Sequence, residues 1–211
     1  VGIILQYCVE WGPLAIIVIF QPEIRSVLES IGRTQLLGRH KILTIDEREK
    51  VVYELMQAIE YFKKNRIGTL IVIEREISLQ EYIEPATEVY ADLSSDLLET
   101  IFFPNGPLHD GGVIIQGDRI TVAGAVFKTS MNTNISKRLG TRHRAALGIA
   151  EESDAIALIV SEESGRISIA VDGELNYNLT LDEFRMLLVD AINPKAEVFY
   201  EAENKESAGE E

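Results

Sequence analysis

From Val1 to Phe20 the chain is almost continuously apolar, broken by Gln6, Glu10 and the pair Gly12-Pro13. About 20 apolar residues span a bilayer core, and a mid-span carboxylate costs about 2.5–3.5 kcal/mol on insertion scales. The stretch reads as the end of a transmembrane or membrane-adjacent helix, with burial against a globular body as the alternative. Residues 21–43 carry a charged run from Glu23 to Arg39 and read as a juxtamembrane helix and linker. The pattern then changes. Thr44-Ile45-Asp46-Glu47 forms a capping box, in which hydroxyl and carboxylate satisfy each other's orphan N–H groups. Val51, Val52, Leu55, Ile59 and Phe62 follow at helical spacing, and Gly68 suits the helix exit. Thr69–Glu74 is short, apolar and β-branched, as a buried strand should be.

Two more capping boxes stand at Ser78-Leu79-Gln80-Glu81 and Thr180-Leu181-Asp182-Glu183, the second opening a helix that carries Phe184, Leu187, Leu188 and Ile192. Between them the spacing predicts strands over Val113–Gln116, Arg119–Phe127, Ala155–Ser161 and Ile167–Val171. Gly117-Asp118 and Ser164-Gly165 are placed to close hairpins. Helices at both ends of a hairpin-rich middle predict an α+β domain, a central mixed β-sheet flanked by helices, over residues 44–200.

Composition narrows the partners. The 211 residues include 20 basic and 34 acidic side chains, a formal net charge of −14. Sequence-independent nucleic-acid binding needs a basic face, so that class is excluded. Five Glu and one Lys fall in residues 201–211, which read as a disordered acidic tail. The single cysteine, Cys8, removes an internal disulfide framework and a Cys-rich zinc site. The chain opens on Val1 rather than Met and reads as a piece of a longer product.

Against that acidic background, Gly140-Thr141-Arg142-His143-Arg144 concentrates positive charge just before an Ala-rich helical run. Helix-start N–H groups, a hydroxyl and two guanidinium forks suit a phosphate chain; a basic surface turn uses the same residues. In Pro107-Leu108-His109-Asp110-Gly111-Gly112 the glycines permit positive φ or close approach of a ligand. Asp110 there can hold a hard metal, accept a proton or cap a turn. Ser161-Glu162-Glu163-Ser164-Gly165 ends another apolar strand, as a metal-ligand edge or a solvated hairpin tip. His40 has no companion motif.

Together these three segments resemble the signatures of the diadenylate cyclase family, over about Gln21–Ile192. The resemblance implies the DAC-domain fold and condensation of two ATP molecules into cyclic di-AMP with release of two pyrophosphates. It assigns catalysis to Asp110 and Gly111 with Arg142, His143 and Arg144. Asp110 would serve the ribose hydroxyl, Thr141, Arg142 and Arg144 would grip the triphosphate, and His143 would orient. Gly112, Phe127, Gly140 and Ser161 join Glu163 in substrate binding, with adenine against the strand near Phe127. His109, Asp110 and Glu163 are the metal candidates, for Mn²⁺ or Mg²⁺.

Similarity to the membrane-bound bacterial class implies a cell-membrane location with a cytoplasmic catalytic domain. It also implies a YbbR-type membrane regulator and phosphoglucosamine mutase as possible partners. Cyclising two nucleotides requires two facing sites, hence a homodimer, with Asn132–Lys137 as a segment able to reach the partner. Two departures stand out. Gly112 replaces the usual alanine, loosening the strand start by about 0.5–1 kcal/mol. Val126-Phe127-Lys128-Thr129-Ser130 replaces a Tyr-Leu-Pro-Leu-Ser-like segment, removing an aromatic at Val126 and adding a charge at Lys128. They leave room for a nucleotide-binding regulatory module without turnover, and the carboxylates alone would also serve phosphoester hydrolysis.

Overall fold

A computed structural model of the chain describes residues 43–131 and 139–193. The expectations for residues 1–20, for 201–211, for Asn132–Lys137 and for all of 21–43 but its last residue lie outside them. No helix of the described residues is long and apolar enough to cross a membrane.

Helix α1, Ile45–Asn65, begins as its sequence dictates. The Thr44 N–H donates to Glu47 Oε2 at 2.9 Å and the Glu47 N–H to Thr44 Oγ1 at 3.3 Å. The helix buries Val51, Val52, Leu55, Ala58, Ile59 and Phe62, and it stops where Arg66 turns left-handed at φ 53°. Gly68 therefore does not supply the C-cap; its role lies in the site described below. Strand β1, Thr69–Ile73, follows, buried throughout.

The short helix α2, Gln80–Ile83, departs from expectation at its start, because Leu79 is the N-cap and no side chain caps it. Instead the Leu79 N–H donates to Glu74 Oε2 at 2.8 Å, and Gln116 Nε2 donates to Glu74 Oε1 at 2.8 Å. The buried Glu74 carboxylate thus takes over the work expected of Ser78. Strand β2, Thr87–Asp92, and helix α3, Ser95–Ile101, come next. Strands β3, Gly112–Gln116, and β4, Arg119–Ala125, form a hairpin closed by Gly117-Asp118, with Gln116 opposite Arg119. β4 stops two residues short of Phe127. Helix α4, Thr141–Glu152, leads into β5, Ile156–Val160, β6, Ile167–Val171, and β7, Glu174–Leu179. Helix α5, Leu181–Ile192, closes the described chain behind the expected capping box at Thr180.

The seven strands form one sheet in the order β2-β4-β3-β1-β5-β6-β7. β1 and β3 are parallel and the other pairs antiparallel, a mixed sheet as expected. Side chains alternate across a strand, and β1 shows the result: Ile71 and Ile73 pack with α1, α3 and α5, whereas Leu70 and Val72 pack with α2 and α4. Covering both faces leaves β1 and β5 buried throughout, apolar except for Thr69. It also brings the starts of β1 and β3 and the end of β5 to one end of the sheet, since Ile71 pairs with Val113 and Thr69 with Val160.

Candidate active site

At that end the loop before β3 delivers Asp110. Gly111 has φ 98°, and a Cβ on it would stand 2.7 Å from the Gly124 carbonyl carbon and 2.8 Å from Ala125 O, so only glycine lets the loop lie on β4. Asp110 is exposed and has no hydrogen bond or ion pair among the described residues. His109 Nδ1 faces the Gly106 carbonyl oxygen. A carbonyl only accepts, so Nδ1 carries a proton, and in the neutral ring Nε2 is the nitrogen with the lone pair a metal ligand requires.

Helix α4 presents its N-terminus to the same end. Gly140 is an extended N-cap with no side-chain cap, and the first turn holds no acidic residue. Its leading N–H groups and the helix dipole favour an anion there. Successive helical residues step round the axis by about 100°, and the Arg-His-Arg triplet uses that step. His143 points inward, 4% exposed, with Nε2 3.4 Å from Ser168 Oγ and its ring edge-on to Tyr177. Burial pulls its pKa down, so the ring is held neutral. The arginines fall to either flank. Arg144 Nη2 donates to Ser130 O at 3.4 Å, beside a 2.9 Å bond from the Ser130 N–H to Arg144 O. Arg142 Nη1 donates to Glu162 Oε2 at 2.7 Å and Nη2 to His109 O at 3.4 Å.

Arg142 thus joins the three sequence motifs: the helix start, the His109-Asp110 loop and the β5–β6 hairpin. Of the two hairpin glutamates it is Glu162 that pairs with the arginine; Glu163 is exposed and makes no hydrogen bond or ion pair among the described residues. Ser161 Oγ accepts the Ser164 N–H at 3.3 Å and shapes the turn. Thr141 and Gly140 are exposed at the helix start. Among the described residues no three His, Cys, Asp or Glu side chains come together as a metal cage.

The two departures of sequence also find their places. A Cβ on Gly112 would lie 2.8 Å from Phe127 Cε2 and 3.0 Å from Leu70 O. Phe127, 6% exposed, fills the space a methyl would take and packs on Tyr82 with ring centroids 5.1 Å apart. Its ring is core, while Val126 beside it is 79% exposed. Lys128 Nζ lies 3.4 Å from Glu152 Oε2 and 3.9 Å from Glu81 Oε2, so its charge is met by carboxylates. Tyr82 donates to the same Glu152 oxygen at 2.6 Å; burial and that carboxylate push the phenol up, and the bond holds Glu152 down.

Sequence reasoning missed Glu162 and Gly68. A Cβ on Gly68 would stand 2.7 Å from Glu162 Oε2 and closer still to Arg142 Nη1. The pairing of Arg142 with one of two adjacent glutamates has no signal in a four-residue turn, where strand alternation has ended.

A mixed sheet that gathers an exposed carboxylate, a glycine pair and a basic helix N-terminus at one end makes an α+β domain with an end suited to an anionic ligand. The comparisons specify which. The family profile described as DAC, "DisA bacterial checkpoint controller nucleotide-binding", matches residues 56–175, and the chain belongs to that family. It is 43% identical over 185 residues to "Cyclic di-AMP synthase CdaA" of Bacillus subtilis, covering 88% of this chain and 68% of that one. It is 42% identical over 186 residues to a "Diadenylate cyclase" of Listeria monocytogenes, with the same two coverages. The crystal structure of DacA from Staphylococcus aureus, a double mutant, superposes with a TM-score of 0.69 at 45% identity, over 71% of this chain and 99% of that one. A hypothetical membrane spanning protein from Bacillus cereus superposes with a TM-score of 0.60 at 34% identity, over 78% and 80%.

Proposed function

We propose that this protein is a diadenylate cyclase, a nucleotidyltransferase that joins two ATP molecules into cyclic di-AMP and releases two pyrophosphates. The observation that carries the reading is Arg142, whose guanidinium bonds to Glu162 and to the His109 carbonyl and so sets a phosphate-binding fork beside Asp110.

Each half-reaction forms one bond between a ribose 3′-oxygen and the α-phosphorus of the opposing ATP. It breaks the bond from that phosphorus to the bridging oxygen, and the hydroxyl proton passes to a base. Asp110 is that base: an exposed carboxylate with no competing partner among the described residues. The α4 N–H groups with Thr141, Arg142 and Arg144 hold the triphosphate, where positioning and charge neutralisation do most of the work. His143 acts from behind, seating the helix turn from which both arginines project.

The donor set fits Mg²⁺ or Mn²⁺. Such ions commonly take one or two carboxylates and complete their shell with phosphate oxygens and water, and here Asp110 and the lone pair of His109 Nε2 are available. Glu163 is near in sequence to Glu162 and is the further candidate. When bound, the ion would lower the pKa of the ribose hydroxyl and offset charge on the phosphates. Reciprocal attack requires a second protomer facing the first, and the homologous membrane spanning protein supports attachment to a membrane.

The test is incubation of the protein with ATP and Mn²⁺ or Mg²⁺, with cyclic di-AMP read by mass. Asp110→Asn is expected to lower turnover about 100-fold or more while ATP affinity changes less than about threefold. Unchanged turnover in that variant would remove Asp110 from its role.

A further inference from the structure

Gly68 lies between α1 and β1, outside all three motifs, and it is buried. It does not cap the helix, because Arg66 does. Its distinguishing property is what a side chain there would strike: the Arg142 guanidinium and both the carboxylate and the Cβ of Glu162, the last at 3.0 Å. The pair it shelters is well ordered for a surface ion pair. Arg142 has a side chain 23% exposed and is held at 2.7 Å by Glu162, which is itself 66% exposed. His109 O takes a second N–H from the other guanidinium nitrogen.

Exposed ion pairs contribute little to stability. A pair of this kind is better explained by what it does to the arginine. Without a partner, a long side chain at a helix start samples several rotamers and must be ordered by the ligand at binding. Here the guanidinium plane is set in advance by two acceptors on two different segments. The N–H groups those acceptors leave over remain for a phosphate chain.

We infer that Glu162 and Gly68 are positioning residues for nucleotide binding: Glu162 fixes the Arg142 guanidinium toward the triphosphate, and Gly68 keeps open the slot in which the two side chains meet. The inference rests on the ATP site proposed above. Neither residue touches the reacting atoms, and both act through Arg142.

Glu162→Gln keeps the shape and hydrogen-bonding capacity but removes the charge. Gly68→Ala inserts one methyl against the flexible ends of two side chains and, at 3.0 Å, against the Glu162 Cβ. Each variant is expected to raise the KM for ATP about five- to tenfold, the net scale of one ordinary hydrogen bond, because the arginine is kept and only its preorganisation is lost, with kcat within about twofold of wild type. The melting temperature of the nucleotide-free protein should stay within about 2 °C for Glu162→Gln, since the Glu162 side chain is 66% exposed. The double variant Gly68→Ala/Glu162→Gln should be no worse than the worse single one, because both remove the same constraint. Glu162→Asp, shortened by one methylene but charged, should recover part of the affinity.

Wild-type turnover with unchanged KM in both single variants overturns the inference and leaves the cyclase reading standing. Additive effects in the double variant overturn it as well. Absence of cyclic di-AMP from the wild-type protein itself overturns the cyclase reading and this inference with it. Should Gly68→Ala fail to fold, Glu162→Gln and Glu162→Asp decide alone.

Discussion

Gly112 and Phe127 form a size exchange across the sheet end, and its energetics are testable. A methyl added at position 112 meets an aromatic carbon at 2.8 Å and a backbone oxygen at 3.0 Å. The first can yield and the second cannot. Gly112→Ala is therefore expected to destabilise by about 1–3 kcal/mol, the usual cost of overpacking. Phe127→Leu alone should cost about 1 kcal/mol by leaving a small void beside Tyr82. The double variant should be more stable than the sum of the singles, because the leucine vacates the space the methyl needs. Urea denaturation of the four proteins measures this, and strict additivity would show that the two residues do not compete for one space. From sequence, Gly112 looked like a loosened strand start and Phe127 like a surface near the base. Both readings treated positions separately, and contact between a strand residue and one beyond the end of its neighbouring strand is invisible until register is known. The same blindness hid Glu162, whereas Asp110 and the arginine pair were legible because their spacing from glycines and a helix start is local.

At the level of elements, α4 is the part on which the proposed binding depends, and its inward anchor is His143. Ser168 of β6 and the Tyr177 ring of β7 face this histidine, with Arg166 reaching the Tyr177 hydroxyl at 3.2 Å. Among the described residues no carboxylate bonds to it, so none of them offsets the charge a proton would bring. Its pKa is lowered by burial, and the unfolded chain takes up that proton first, near an ordinary imidazole value of about 6.5. The stability contributed by neutral His143 is thus complete above that pH and is lost as pH falls through it toward the folded value. Thermal melting between about pH 7.5 and pH 5.5 should show a midpoint that falls on acidification more steeply for wild type than for His143→Gln. Equal slopes would remove His143 as the cause. The central elements, α1, β1, β3 to β6 and α5, could be read from the sequence because burial on one or both faces imposes its period on them. The edge strands could not. β2 and β7 pair on one side only, and their exposed, mixed faces carry little pattern. One signal was nevertheless available for β7: Asp172-Gly173, both at positive φ, is the turn pair that closes a tight hairpin.

At the scale of the whole molecule, the sheet end holds among the described residues one set of these groups, Asp110, the basic start of α4 and the Glu162-Glu163 hairpin. It so has the parts for one attack under the proposed reaction, while a cyclic dinucleotide contains two new bonds. Two protomers related by a two-fold axis supply the second set without any new residue. Below the dissociation constant of such a dimer, the rate per protein should rise in proportion to protein concentration, and it should level off above it. Mixing adds a sharper expectation. Under the proposed reaction a protomer carrying Asp110→Asn should still bind ATP, and with wild type it should form a dimer in which only one of the two ribose hydroxyls is activated. That dimer makes one bond and releases one pyrophosphate, leaving a linear dinucleotide that keeps its 5′-triphosphate. Titrating Asp110→Asn into a fixed amount of wild type should first depress cyclic di-AMP below the level of wild type alone and raise the linear product, both read by chromatography with mass detection. If cyclic product instead stays constant under a tenfold excess of the variant, each protomer closes the ring by itself and the facing-dimer requirement is wrong.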